Sequence, residues 1–334
     1  MSQTEKASKS TANESSLEIL DYNEKEKLFT VKDVETGNIC TILDTFAEMF
    51  SMWVARPLIT AETERWAKIA ARTATGFASS IIMSPAEAGI ERAVDPRDTP
   101  DGRPGVLIQI FHRARLDLKN QLVLRIGQCV MTCPTTAAFD GFSEAKRRLK
   151  VGRSLRLFGD GFQRKGMIGK RKVWRIPVME GEFAVEDRFG VAKAVAGGNF
   201  IIMAQDGVAG LQAAEAAVEA ITNKAHKVTM TFPGGVCRSG SKAGSMKYKL
   251  KASTNHPFCP KLRDLISDSA VPETAACVYE IIINGLNLDA VKEAMAIGIK
   301  ATVKKPGVVR ISAGNYGGKL GPYHAYLKDV LELS

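Results

Sequence analysis

Six cysteines are all that 334 residues supply. With no apolar opening stretch that reads as a signal peptide, they predict reduced thiols and a cytoplasmic location. Cys129 and Cys133 stand four apart ahead of Pro134, a spacing that fits neither a zinc knuckle nor a C-x-x-C redox pair. The histidines are four, His112, His226, His256 and His324, far apart and without an H-E-x-x-H arrangement, so no metal site is expected. A G-x-S-x-G elbow is missing too, which removes support for a serine acyl-enzyme. No apolar run approaches the ~20 residues of a transmembrane helix, and a soluble protein is expected. Aromatics make up 7% of the chain, charged residues 25% and hydrophobic residues 45%, an ordinary globular balance that excludes collagen, coiled coil and wholesale disorder.

What is present is size and positive charge. A mass of 36.2 kDa suits two lobes or one large α/β unit. Forty-six Lys and Arg against thirty-six Asp and Glu leave +10, which attracts anions without naming one. The charge is uneven. Through Leu43 the chain has five Lys and eight acids, so the rest carries +13. Met1 to Ser16 has almost nothing to bury and is expected to be disordered. Leu28 to Val31 and Ile39 to Leu43 flank the turn Glu35-Thr36-Gly37-Asn38 and predict a β-hairpin.

The first half then reads βαββαβ. Trp53 to Ile59 is a predicted strand, and Thr60 is the predicted N-cap of a helix with Glu62 and Glu64 in its first turn, stopping at Gly76. Phe77 to Met83 predicts a buried strand ended by Ser84-Pro85, and Val106 to Phe111 another after a Pro- and Gly-rich loop. Leu116 to Ile126 has helical spacing with Gly127 as its stop, and Gln128 to Thr132 is a candidate closing strand. The second half repeats the order: Phe200 to Met203, an alanine-rich helix over Leu211 to Ile221, Val228 to Phe232, Val278 to Ile283, a helix through Leu288 and Ile299, and Val308 to Ile311. That duplicated split βαβ order predicts an α+β fold of two ferredoxin-like lobes, with inserted β-hairpins over Gly152 to Val185. The expected division is an extension over residues 1–43, a first lobe over 44–185 and a second over 186–334.

Lys146 to Arg175 holds twelve Lys and Arg against Asp160 alone. Such a run suits a phosphate-contacting surface, a steering field for a multiply anionic small molecule, a solvated hairpin face or a patch matched to an acidic partner. Phe158, Phe162 and Trp174 are too few for a base-stacking platform. Gly235 to Lys242 resembles a P-loop but places Ser241 between the second Gly and the Lys, and Gly314 to Gly321 misses the dinucleotide spacing. Both loops are either tight turns or places where bare N–H groups and a lysine approach an anion or a developing oxyanion. Glu87, Glu91, Asp101, Arg103, Thr135 and Thr136 are polar groups in segments flanking strands. Glu280 differs, standing inside a strongly apolar strand. It lies either on a solvated face or partly desolvated, with a raised pKa suited to a general acid or base.

Several strings then converge: Asp44-Thr45-Phe46-Ala47-Glu48, Trp66 to Ala71, Pro85 to Glu91, Thr99 to Gly105, Gly127 to Val130, Thr132 to Ala137 and Gly314 to Gly321. Together they closely resemble formylmethanofuran:tetrahydromethanopterin formyltransferases, in order from about Asp44 to the C-terminus. The N-terminal arm and the basic run depart from that family's pattern. The resemblance implies two ferredoxin-like lobes in a homotetramer with sites near subunit contacts. It implies reversible formyl transfer between the methanofuran amine and N5 of tetrahydromethanopterin, with these carriers as substrates and no metal or prosthetic group. It also implies Glu280 as the general acid or base. Glu87, Arg103, Thr135, Thr136, Lys242, Asn315, Tyr316 and Lys319 are the expected carrier-binding residues. A nucleic-acid-binding protein using the basic hairpin, or a scaffold subunit beside a formylmethanofuran dehydrogenase or hydrolase, are the competing readings.

Overall fold

The computed structural model describes residues 17–239 and 242–333. The expectation for Met1 to Ser16 lies outside them, as do Gly240 and Ser241 of the P-loop-like segment. The architecture is mixed α+β, a large sheet network with helices packed on it.

The predicted hairpin is present as Leu28–Asp33 against Ile39–Leu43, with Gly37 at φ +74° in its turn. Leu17–Asn23 adds an outer strand, exposed from Glu18 onward. The next predicted strand is longer and broken. Phe46–Ala55 and Pro57–Thr60 are separate strands on either side of Arg56. Thr60 is therefore not a helix cap: it ends a strand, fully buried, and donates to Asp101 Oδ2 at 2.7 Å. The cap is Thr63, whose extended backbone lets its hydroxyl accept from the Trp66 N–H, and the helix runs Glu64–Thr75.

Two predicted strands are absent. Residues 77–83 form turns, with Phe77 75% and Met83 68% exposed, and the strand follows them as Glu87–Val94. Of this run Ala78 packs into the core while Ile81 and Ile82 line a cavity, uses that composition alone does not distinguish from a strand. Gln128 to Thr132 likewise forms no strand, because Arg115–Arg125 continues into a π-helical turn over Ile126–Val130, closed by Met131 N–H to Ile126 O at 2.8 Å. Gly127 does not stop the helix. It is small because Leu155 packs over it, where a Cβ would sit 3.1 Å from the leucine methyl. The closing strand is Ala137–Asp140.

In the first half Pro57–Thr60 pairs antiparallel with both Ala137–Asp140 and Gly105–His112, and Gly105–His112 with Glu87–Val94. In the second, Phe189–Ala204 pairs antiparallel with both Val308–Ser312 and Cys277–Gly285, and Cys277–Gly285 with Val228–Met230. Helices Gly207–Lys224 and Leu288–Val303, capped by Asp206 and Asn287, pack on this second sheet, the first through an alanine-rich face and the second through Val291, Met295, Ile299 and Val303. The core there includes Phe200, Ile202, Ile281 and Ile283, all almost fully buried.

The residues between those core positions face the other way. Phe189–Ala204 spans sixteen residues, pairing through Val191 to Ala196 with Phe46–Ala55 and from Gly198 onward with the second-half strands. The register shifts between, where Gly197 adopts φ +88°. The segment predicted as hairpins begins with a short helix, Val151–Leu155, and continues as the meander Arg164–Ile168, Arg171–Val178 and Gly181–Glu186.

Candidate active site

The faces that point away from the helices enclose a cavity of about 550 Å³. Its wall combines Phe50 and Met52, the turn residues Ser79 to Ile82, Gly197 and Asn199 at the bulge, Ile282, Tyr316 and Leu320. Three charged side chains line it, Glu48, Glu87 and Arg113.

Glu48 is fully buried in Phe46–Ala55. Its carboxylate accepts backbone N–H bonds from Tyr316 at 2.8 Å, Gly318 at 3.0 Å, Gly321 at 2.7 Å and Leu320. Burial pushes its pKa up, but these four donors outweigh it and hold the carboxyl below its ordinary range. Loop 314–321 thus wraps an anion that belongs to the protein itself. Asn199 fastens the start of the loop, accepting from Gly314 N–H at 2.6 Å, while Asn315 donates to Thr45 Oγ1 at 2.8 Å.

Glu87 has a thinner environment. Its carboxyl accepts from Ile81 N–H at 2.9 Å and from the Asn284 amide at 2.6 Å. Burial dominates these two donors and the attraction of Arg113, and its pKa is raised. Asn284 also accepts from Gly197 N–H at 2.9 Å, tying the carboxyl to the bulge of the long strand.

Glu280 lies on the same face of Cys277–Gly285 as Ile282 and Asn284. It is 3% exposed and lines a smaller cavity with Cys237, Arg238, Asn255, Phe258 and Tyr279. A strand position two residues away, Ile282, lines the central cavity. The solvated-face alternative for Glu280 is therefore excluded.

The other expected site residues divide into those near the cavity and those away from it. Tyr316 and Glu87 line it, and Lys319 stands exposed between Gly318 and Leu320. Asn315 lines a separate concavity with Arg310 and Phe258. Lys242 meets His256 Nδ1 at 3.1 Å, beside the cavity-lining Ala243. Arg103, Thr135 and Thr136 do not line it. Arg103 pairs with Asp101 at 2.8 Å and donates to Thr135 O, while Thr136 donates to Val130 O, so all three brace a loop corner of the first half. Glu91 is likewise spent on Arg56 and Gln109. Among the described residues no group of three or more His, Cys, Asp or Glu could hold a metal ion.

Glu48, Arg113, Asn199 and Asn284 were not singled out by sequence. The signal for Glu48 was available, since it is a carboxylate within an apolar strand, as Glu280 is. The amides Asn199 and Asn284 interrupt apolar strands in the same way.

Proteins that resemble this chain over most of its length are named as formyltransferases. The description "Formylmethanofuran-tetrahydromethanopterin formyltransferase" matches residues 36–178 and "FTR, proximal lobe" matches 181–330. The enzyme of that name from Methanopyrus kandleri is 56% identical over 293 residues, covering 86% of this chain and 97% of its own. Its counterpart from Methanocaldococcus jannaschii is 54% identical over 295 residues, 87% of this chain and 98% of its own. The solved formyltransferase from Methanosarcina barkeri superposes with a TM-score of 0.83 at 51% identity, over 86% of this chain and 97% of that one. A crystal structure of the formyltransferase/hydrolase complex from Methylorubrum extorquens with methylofuran gives the same TM-score of 0.83 at 42% identity, over 87% and 97%. The chain belongs to the formylmethanofuran–tetrahydromethanopterin formyltransferase family.

Proposed function

We propose that this chain reversibly transfers a formyl group between N-formylmethanofuran and N5 of tetrahydromethanopterin. Family membership and about 50% identity over nearly the full length of the named formyltransferases support the reaction. In this reading N5 attacks the formyl carbon directly, and a tetrahedral oxyanion forms and is held by N–H or hydroxyl donors in the cleft. A carboxylic acid protonates the departing methanofuran amine, and its carboxylate takes that proton back in the reverse direction.

Glu280 carries that role. The supporting observation is its burial within a strand whose next inward-facing residue, Ile282, lines the central cavity. One observation favours a second assignment: Glu87 lines the cavity itself and has the raised pKa that a proton carrier needs. A spectrophotometric assay with both purified carriers separates the two. Glu280→Gln is expected to lower transfer by about 10²–10⁴-fold with carrier binding retained, the usual contribution of a general acid or base. Near wild-type turnover in that variant, with the same loss in Glu87→Gln, moves the role to Glu87. Carrier-independent inactivity of the wild-type chain rejects formyl transfer and favours a scaffold subunit.

In both halves the first strand pairs between the third and the fourth and the second pairs outside the third, which supports duplicated ferredoxin-like lobes, divided near residues 44–185 and 186–334, after an extension over 1–43. Tyr316, Lys319, Lys242 and Asn315 border the cavities as carrier contacts. The reading includes a homotetramer in the cytoplasm and no prosthetic group. Association with a hydrolase is supported by the complex in which the Methylorubrum extorquens relative was solved. No described helix is long and apolar enough to cross a membrane.

A further inference from the structure

Away from the central cavity, the inserted meander bounds a groove of about 870 Å³. Its lining holds four arginines and three lysines against two carboxylates, Glu186 and Asp187, a local balance of +5. The two kinds of cation are used differently. Arg171 is held by Glu186 at 2.8 Å and Arg148 by Asp140 at 2.8 Å, while Arg153 and Arg188 share Asp187 at 3.6 and 3.4 Å. Asp187 also accepts the Trp174 indole N–H at 2.7 Å. These pairs build a braced wall. Lys165, Lys170 and Lys172 form no salt bridge with any described residue, and Lys165 lies 5.8 Å over the Trp174 ring. The nearby carboxylates are thus already committed to arginines, and the surplus charge belongs to exposed lysines in a concavity.

We propose that this groove binds a compact polyanion carrying several closely spaced phosphate or carboxylate groups. A concave surface lined by one sign focuses the field more strongly than the same charges spread over a convex face. Lysines offer mobile point charges that close on such a ligand, while the paired arginines keep the groove's shape. Nucleic acid fits less well: the exposed rings of Phe158 and Phe162 do not line the groove, and Trp174 is 6% exposed. The inference stands independently of the transfer reaction, because the groove and the central cavity share no lining residue.

The test is calorimetric titration of the full chain with tripolyphosphate and with citrate at constant ionic strength, accompanied by thermal melting. Saturable binding of one anion per chain is expected, with a rise in Tm. Lys170→Glu/Lys172→Glu is expected to bind at least tenfold more weakly. Its Tm without anion should be no lower than that of the wild type, and formyl transfer should be unchanged. The tighter probe identifies whether phosphate or carboxylate is preferred. Absence of saturation with both probes, equal affinity in the variant, or binding confined to an oligonucleotide would overturn the proposal.

Discussion

The wall of the cavity made by Phe46–Ala55 and loop 314–321 gives Glu48 four backbone N–H donors, whereas the wall made by residues 78–86 and Glu87–Val94 gives Glu87 one, to which Asn284 of Cys277–Gly285 adds a side-chain amide. Both carboxyls are buried. The difference in donor number goes with opposite shifts: four N–H donors hold the Glu48 carboxyl below its ordinary range, and burial with fewer donors pushes Glu87 above it. Burial alone therefore does not fix the direction in which a carboxyl's pKa moves. The count of donors around the oxygen atoms does.

The comparison can be broken most forcefully at Glu48. In Glu48→Gln an NH₂ group must replace one oxygen, leaving either the Tyr316 and Gly318 pair or the Leu320 and Gly321 pair without an acceptor. Two orphaned, part-buried donors cost about 1–3 kcal/mol, read as a lower midpoint in denaturant. Retention of wild-type stability would show that the loop is held by other contacts.

An effect no larger is expected from Gly321→Ala, which tests the loop's approach without touching the charge. The added Cβ would lie 2.1 Å from the Met49 carbonyl oxygen. Displacing the loop should cost about 1–3 kcal/mol and weaken transfer through Tyr316, measured by melting and by KM. Unchanged melting would mean that the loop shifts freely.

The smallest expected effect concerns the pH dependence of stability, and the two residues give it opposite signs. Glu48 has a folded value below the ordinary 4.5, so its contribution is present above that pH and is lost as pH falls through the lower folded value. Glu87 has a folded value above 4.5, so the fold binds the extra proton and its stability declines as pH rises from 4.5 through the raised value. Glu87→Gln should remove that decline in denaturant midpoints measured across mildly acidic pH. An unchanged profile would place the raised pKa elsewhere.

Much of the fold was legible because alternating or helical apolar patterns report which face is buried. The hairpin at Leu28–Leu43, the strands around Ile108 and Ile281 and the alanine-rich helix all follow from such patterns. The failures occurred where apolar residues serve something other than a core. In residues 77–83 Ile81 and Ile82 wall a cavity, Ala78 enters the core and Phe77 and Met83 are exposed, and Gly127 is small because Leu155 packs over it. Glu280 was legible through its apolar setting, and Glu48 carried the same mark unused. Arg103, Thr135 and Thr136 fail as cavity residues for a different reason: loop position beside a strand reports polarity, and here the polarity is consumed by local bracing. The wide pairing of arginines in the basic run was not legible at all, since Asp140, Glu182, Glu186 and Asp187 reach it from flanking segments and neighbouring strands.

The sixteen-residue strand Phe189–Ala204 is a spine common to both halves. This ribbon stitches the halves together: Val191 to Ala196 pair with Phe46–Ala55, Val195 and Gly198 to Ala204 pair with Cys277–Gly285, and any swing of one half against the other has to bend the ribbon at the bulge between them.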